Sequence, residues 1–215
     1  MIKVEAVIFD MDGVIIDSEP LWKIAIIKVM KQEGYDFTIE MCNRTKGMRM
    51  DEVAVFWKNE LNADFNPNLI NIRVITELIN LVKEQGKEIN GLKNLLEYIK
   101  GQNLKIALAS SSTMQIINIV LEKLKIKQYF EVIHSAENEE YGKPHPQVFI
   151  TTATKLSVKP EECLVIEDSL HGVIAGKAAK MKVIAMPEIG EPKINKFSVA
   201  DWIVDSLDEI KDILK

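Results

Sequence analysis

The chain has 215 residues, of which 47% are hydrophobic and 27% charged, with 10 glycines and 7 prolines. This composition excludes a disordered or low-complexity chain, and the length suits a core domain that carries a smaller one. Because 32 acidic residues outnumber 27 lysines and arginines, the net charge is −5, which disfavours nucleic acid as a partner. A small anionic substrate fits only if positive groups gather locally to receive it.

The usual signals for membrane insertion and secretion are missing from the sequence. The longest stretch without a charge, residues 106–121, is interrupted by serines and amides, whereas a membrane helix needs roughly 18 mostly apolar residues. Cys42 and Cys163 show neither metal-ligand spacing nor a disulfide framework, which fits a reducing compartment. We therefore expect a soluble, cytoplasmic protein that binds no membrane.

Short apolar runs recur along the chain and predict strands buried on both faces, as in a parallel sheet. The clearest runs are residues 4–9, 105–109 and 163–166, and weaker runs lie at 183–186 and 202–204. Between these runs the apolar residues follow helical spacing. Strands that alternate with helices predict a doubly wound α/β fold, in which ligands bind beyond the carboxyl ends of the strands.

Residues 17–88 interrupt this alternation, because they show helical periodicity and no convincing buried strand. Pro20 and Pro67 stand where helices are expected to begin. An ordinary connection has about 4–6 residues, so we predict a helical cap domain over 17–88 on a core formed by 1–16 and 89–215. Since this insert leaves directly after the first strand, it should lie over the strand ends as a lid.

Two carboxylates, Asp10 and Asp12, follow the first predicted strand, and Gly13 permits a tight turn there. A solvated acidic turn is the alternative, but a wholly apolar strand delivers Asp10 to the edge where ligands bind. A calcium loop is excluded because Val14 and Ile15 stand where it needs an oxygen ligand and a glycine. One carboxylate can attack a phosphoryl group, while the other protonates the leaving oxygen and then activates water.

Both carboxylates are anions that would face an anionic substrate, so the chemistry requires positive charge. Asp168 follows another apolar strand, and a third carboxylate at the same edge can help to hold Mg²⁺. Lys143 lies in a proline-stiffened turn, and Ser110 and Ser111 precede a helix whose N–H groups can hold phosphate. Taken singly, Lys143 could be an ordinary surface lysine and the serines could simply cap a helix. Together these residues favour a phosphotransfer site.

The predicted cap contributes a further pair of cations, Lys46 and Arg49, on either side of Gly47. If the cap closes as a lid, both side chains should meet the far side of the substrate. A solvated loop is the alternative. Trp22, on the first cap helix, either contacts the substrate or belongs to the core of the cap.

The segment from Phe9 to Ser18 resembles the first motif of the haloacid dehalogenase superfamily of phosphotransferases. Ser110, Lys143 and Glu167-Asp168 resemble its second, third and fourth motifs, in the same order. The resemblance spans nearly the whole chain, including a helical cap after the first motif. Within the superfamily the motifs look most like sugar phosphatases of the hexitol phosphatase and 2-deoxyglucose-6-phosphatase kind, with β-phosphoglucomutase and an inorganic pyrophosphatase as near relatives.

The resemblance implies a role for each motif residue. Asp10 would be the nucleophile and Asp12 the general acid and base, and Asp12 counts against dehalogenation because dehalogenases lack this second aspartate. Mg²⁺ would be held by Asp10, Asp168 and the backbone carbonyl of Asp12. The residues implied to bind and support the transferring phosphate are Ser110, Ser111, Lys143 and, behind them, Glu167.

These arguments predict a monomeric, Mg²⁺-dependent phosphatase of a small sugar or sugar-alcohol phosphate, acting through an aspartyl-phosphate. A phosphomutase like β-phosphoglucomutase, or an inorganic pyrophosphatase, is the alternative enzyme. The mutase pattern has a histidine and an arginine where this chain has Trp22 and Met50, which favours hydrolysis. A phospho-acceptor signalling domain is disfavoured, because such a domain gains nothing from a general acid at Asp12 or from a lid.

Overall fold

Parallel strands form one six-stranded sheet in the computed structural model, which describes residues 4–188 and 196–215. In chain order the strands are β1 (Ala6–Phe9), β2 (Lys105–Ser110), β3 (Val132–Ser135), β4 (Cys163–Glu167), β5 (Lys182–Ala185) and β6 (Trp202–Ile203). Their order across the sheet is β3-β2-β1-β4-β5-β6. The chain moves outward from β1 in one direction and then in the other, so β1 and β4 flank the switch point where such sheets bind ligands.

Helices cover both faces of this sheet, which confirms the doubly wound α/β fold. Those after the cap are α5 (Leu92–Gly101), α6 (Met114–Leu124), α7 (Gln147–Leu156), α8 (Leu170–Ala178) and α9 (Ile210–Ile213). Along β1 the buried side chains alternate in direction: Val7 and Phe9 join one hydrophobic cluster, and Ala6 and Ile8 join the other. A strand with an apolar cluster on each face must be apolar throughout, and the first polar residue after it emerges at the sheet edge.

The helical cap consists of four helices inserted between β1 and α5. They are α1 (Glu19–Gln32), α2 (Ile39–Arg44), α3 (Met50–Glu60) and α4 (Pro67–Gln85). The helices α1 and α4 begin with a proline in the first turn, as the sequence predicted, and the side chain of Asn66 accepts hydrogen bonds from the first free N–H groups of α4. The exact limits of 17–88 for this domain stay a prediction.

The cap joins the core through two neighbouring chain segments that hydrogen-bond to each other. Asp17 N donates to Lys87 O at 2.9 Å, and Ile89 N donates to Ile15 O at 3.0 Å. Because both crossings lie side by side, this pair of segments can act as a hinge between cap and core. None of the helices in the described ranges is long and apolar enough to span a membrane.

Candidate active site

The carboxyl ends of β1, β2 and β4 bring four predicted site residues to one buried place. Asp10 directly follows β1, Ser110 ends β2, and Glu167 and Asp168 end and follow β4. The three strands are hydrogen-bonded neighbours with β1 in the middle, so these side chains converge. Each of the four residues is at most 6% exposed. The convergence follows from parallel pairing of strands that end at the same level.

Lys143 reaches this place from the loop before α7 and pairs with two carboxylates. Its Nζ lies 2.7 Å from Asp10 Oδ1 and 2.6 Å from Glu167 Oε1. Burial alone would lower the pKa of Lys143, but the two carboxylates outweigh it and the net effect is a raised pKa. The lysine therefore remains a cation beside Asp10, although only 1% of its side chain is exposed.

Three carboxylates form a cluster that could hold a metal ion. Oxygens of Asp10, Glu167 and Asp168 all lie within 4.8 Å of one another. Burial raises the pKa of Asp10 and the pKa of Asp168 well above the usual range, and the neighbouring carboxylates add to this shift. Lys143 opposes the shift at Asp10, and Lys46 opposes it at Asp168. Crowded oxygens of this kind fit a hard divalent cation, which would stabilise their ionised forms.

Within the cluster, Glu167 is already committed to protein partners. Its Oε1 accepts from Lys143, and its Oε2 accepts from Ser169 N at 2.9 Å and from Ser169 Oγ at 3.0 Å. A Cβ at Gly172 would overlap this carboxylate, so the first turn of α8 has no room for a side chain there. These contacts leave Asp10 and Asp168 as the better candidates for direct metal ligands, with Glu167 orienting Lys143.

Asp12 accepts three hydrogen bonds, two of them from the side of the cap. Ser18 Oγ donates to its Oδ1 at 2.5 Å and Trp22 Nε1 donates to the same oxygen at 2.9 Å. Ser112 Oγ donates to its Oδ2 at 2.8 Å. From the sequence, the role of Trp22 was open, and Ser112 was one of three serines expected to hold phosphate or to cap the helix that follows. The structure joins both to the proposed acid and base, so a residue of the cap touches Asp12 directly.

The three serines after β2 have separate contacts. Ser110 Oγ accepts from Ser112 N at 3.1 Å and stays beside the carboxylate cluster. The hydroxyl of Ser111 donates to the carbonyl of Gly47 in the cap at 2.8 Å. If Ser111 binds phosphate in this closed arrangement, its backbone N–H is therefore the available donor. The side chain of Thr113 caps α6, whose N-terminus lies at the same edge.

The two cap cations, Lys46 and Arg49, both line the space between cap and core and also contact the core, and their contact with a substrate stays a prediction. Lys46 Nζ is 2.7 Å from Asp168 Oδ2, so it reaches down to the carboxylate cluster. The Nη1 atom of Arg49 donates to the backbone carbonyls of Ala136 and Glu139 in the core. Both side chains contact acceptors of the core, because a buried cation is costly unless it has such a partner.

A cavity of about 210 Å³ lies between cap and core above these residues. Its core side is lined by the carboxylates of Asp10, Asp12 and Asp168 and by the serines after the strand β2, residues 110–112. Its cap side is lined by charged, polar and apolar residues that include Glu19, Trp22, Lys46, Asn71 and Ile75. A small, mixed-polarity cavity that ends on carboxylates and a lysine suits a small molecule with one reactive polar end.

Known proteins resemble this chain in sequence and in fold. A family model described as haloacid dehalogenase-like hydrolase matches residues 7–186. Hexitol phosphatase B of Escherichia coli K12 is 38% identical, over 97% of this chain and 96% of its own. The phosphorylated carbohydrates phosphatase of Thermotoga maritima is 33% identical over 84% and 83%. The crystal structure of β-phosphoglucomutase from Clostridium difficile has a TM-score of 0.85 and 27% identity, covering 96% of this chain and 93% of that one.

Proposed function

The chain belongs to the haloacid dehalogenase-like hydrolases, and we propose that it is a Mg²⁺-dependent phosphatase of small sugar and sugar-alcohol phosphates. The observation that carries this proposal is the buried contact of Lys143 with Asp10, next to Asp168 and under a closed cap. The names of two relatives, a hexitol phosphatase and a phosphorylated carbohydrates phosphatase, support the substrate class.

In the proposed reaction Asp10 attacks the phosphorus atom, and the bond to the sugar oxygen breaks as the aspartyl-phosphate forms. Asp12 gives a proton to the leaving oxygen. It then takes a proton from the water that attacks the phosphorus and restores Asp10. Lys143 keeps its positive charge throughout, because two carboxylates hold it as a cation. It therefore stabilises the negative charge of the transferring group without any rearrangement.

The residues of the cluster fit a divalent metal bound by Asp10 and Asp168, with the backbone carbonyl of Asp12 as a third ligand. When bound, such a metal supplies positive charge opposite the phosphoryl oxygens. We propose Mg²⁺, because carboxylates, substrate phosphate and water are the ligands it favours. The chain's own part is to hold Asp168 in place through β4 and to orient Lys143 through Glu167.

Changing Asp168 to alanine should raise the Mg²⁺ concentration needed for half-maximal rate by more than about tenfold, since a ligand is lost. Wild-type protein should lose its activity in EDTA and regain it with excess Mg²⁺. Asp201→Ala is the matched control, because Asp201 pairs with Lys177 and Lys182 away from the cluster. An Asp168 variant with normal rate and normal Mg²⁺ dependence would show that the metal is misplaced.

The charges around the cavity favour a substrate with one phosphate and an uncharged remainder. Each cation that lines the cavity within the described residues faces a carboxylate. The pairs are Lys23 with Glu188 at 3.0 Å, Lys46 with Asp168 at 2.7 Å and Arg49 with Glu52 at 2.9 Å. Glu19 also lines the cavity, and burial raises its pKa to about 7, against the effect of Lys46. Among the described residues that line the cavity, a second phosphate would therefore have to compete with a carboxylate for every cation.

The experiment that tests the proposal is a hydrolysis screen with Mg²⁺ across hexose, hexitol and pentose phosphates, sugar bisphosphates and pyrophosphate. We expect the monophosphates of hexoses and hexitols to have the highest kcat/KM, because the cavity offers polar and apolar walls and its described cations are already paired with carboxylates. Pyrophosphate as the best substrate would instead support the pyrophosphatase alternative. Absence of hydrolysis of every ester would contradict the proposal.

Transfer of the phosphoryl group to water should also be faster than its transfer back to a sugar. Trp22 stands where the mutase pattern has a histidine, and its indole N–H only donates to Asp12, so it cannot exchange a proton with the acid and base. We expect free phosphate to form faster than glucose 6-phosphate from β-glucose 1-phosphate with a trace of glucose 1,6-bisphosphate. Isomerisation that outpaces phosphate release by a large factor would make the protein a mutase.

The cytoplasmic location and the monomeric state stay predictions. Both cysteines of the chain are buried and free, which supports a reducing compartment. Gel filtration with light scattering would test the monomer.

A further inference from the structure

Arg49, the residue before α3, is buried against the core loop over residues 136–142. Its Nη1 donates to Ala136 O at 2.9 Å and to Glu139 O at 2.7 Å, and its Nη2 pairs with Glu52 Oε1 at 2.9 Å. Only 10% of the side chain is exposed. Charge-assisted hydrogen bonds in such a shielded place are stronger than those of exposed ion pairs. The guanidinium therefore fastens the cap to the start of this loop.

Glu52 extends the connection to the end of the same loop. Its Oε1 accepts the backbone N–H of Gly142 at 2.9 Å, in addition to the bond from Arg49. Gly142 directly precedes Lys143, whose Nζ contacts Asp10 at 2.7 Å. The backbone next to the lysine is thus held by a side chain of the cap. We call Arg49 and Glu52 together the cap latch.

The loop over residues 136–142 is held from both the core and the cap. In its middle, the Glu139 carboxylate lies 2.7 Å from His134 Nε2 of the core, while its carbonyl accepts from Arg49 of the cap. At its end, the N–H of Gly142 is directed to Glu52 of the cap. The backbone next to Lys143 therefore depends on a contact with the cap.

The glycine at position 142 is explained by its close contact with the cap latch and not by an unusual backbone conformation. Its φ lies outside the left-handed region, so an alanine could adopt the same backbone. A Cβ at this position would nevertheless overlap the Glu52 carboxylate and lie 3.0 Å from Arg49 Cγ. These clashing atoms belong to cap side chains. In this closed arrangement the nearest atoms that a side chain at residue 142 would meet therefore belong to the cap latch.

We infer that Arg49 and Glu52 are positioning residues, through which closure of the cap sets the loop that carries Lys143. The inference rests on the proposed phosphatase function and deepens it, because neither residue touches the reacting atoms. Positioning through these two residues makes phosphoryl transfer fast only when the cap is closed over a substrate. Lys143 would then be aligned with Asp10 at the moment when water is excluded.

The test is a double-mutant cycle between Glu52 and Gly142. Glu52→Ala should lower kcat about 10- to 100-fold at saturating substrate and Mg²⁺, which is the range for a small misplacement of a reacting group. Gly142→Ala should cause a similar loss, because it pushes Glu52 away from the other side. In the double variant the two losses should not multiply, since the new methyl group no longer meets a carboxylate.

Two further variants separate positioning from simple loss of structure. Glu52→Gln keeps an oxygen that can accept the Gly142 N–H, so it should retain more of kcat than Glu52→Ala. Glu60→Ala removes an exposed ion pair with Arg44, 2.7 Å long, that lies wholly within the cap, and should leave kcat unchanged. All variants should unfold at temperatures close to that of the wild type.

Orthovanadate, which mimics the transferring phosphoryl group, gives a readout that does not need turnover. Its affinity in the presence of Mg²⁺ should fall in Glu52→Ala and be partly restored in Glu52→Gln. Two results with an active wild type would overturn the cap latch alone. The first is that the two losses multiply in the double variant, and the second is a kcat of Glu52→Ala within twofold of normal. A wild-type protein that neither hydrolyses phosphate esters nor binds vanadate overturns the proposed function itself.

Discussion

Asp10→Asn should abolish turnover, with a loss on the order of 10⁴-fold or more, because the attacking carboxylate is gone. An amide is a poor nucleophile and a weaker ligand for a divalent metal. The substitution preserves the size of the side chain at a position that is 6% exposed, so the packing at the end of β1 should survive. The measurement is phosphate release by the purified variant on the best substrate of the screen.

The controls for this loss are a comparison of folding and a matched substitution elsewhere in the core. Thermal unfolding of the variant should stay close to that of the wild type, which rules out loss by denaturation. Asp201→Asn, a substitution of the same kind at a charged pair of the core, should keep normal activity. Near-normal turnover by pure Asp10→Asn protein would remove the proposed mechanism.

Asp12→Ala should reduce kcat by roughly 10²–10⁴-fold, the usual range for general acid and base catalysis. The structure supports this role through the contacts of both carboxylate oxygens, which Ser18, Trp22 and Ser112 hold in place at the cavity. Rates of phosphate release from a sugar phosphate and from p-nitrophenyl phosphate should be compared. Formation of the phosphoenzyme from p-nitrophenyl phosphate should be slowed least in the variant, because nitrophenolate leaves without taking up a proton.

Ser112→Ala is the matched control for Asp12, because it removes one donor and leaves the carboxylate. Its loss should be much smaller than that of Asp12→Ala and equal for the two substrates. If Asp12→Ala slows both substrates equally, including formation of the phosphoenzyme, Asp12 is not the general acid.

The sequence predicted the central strand and the carboxylates because their signals are local. The apolar run before Asp10 is short and rich in β-branched residues, which favours a strand with both faces buried, and such a strand places the next residue at the sheet edge. Ser110 and Asp168 could be grouped with it from the rule that parallel strands end together, whereas Lys143, which lies in a loop, was grouped by the need for positive charge and by the resemblance. The strand β3, Val132–Ser135, escaped prediction because it lies at an edge of the sheet and its first two residues are only partly buried.

Contacts between cap and core could not be predicted, because they depend on how two separately patterned units face each other. No periodicity relates Lys46 to Asp168, or Arg49 to the carbonyls of the core loop, so neither contact could be predicted from the sequence. The bond from Trp22 to Asp12 depends on the direction of a side chain on α1. Such contacts are set by tertiary packing.

The stereochemistry at phosphorus tests the central claim, transfer through an aspartyl-phosphate on Asp10, most directly. A phosphorothioate ester made chiral with oxygen isotopes can be hydrolysed in isotopically labelled water and the configuration of the product determined. Two successive in-line displacements, first by Asp10 and then by water, each invert the phosphorus. The account therefore predicts overall retention of configuration. Inversion would mean that water attacks the substrate directly and would contradict the role given to Asp10.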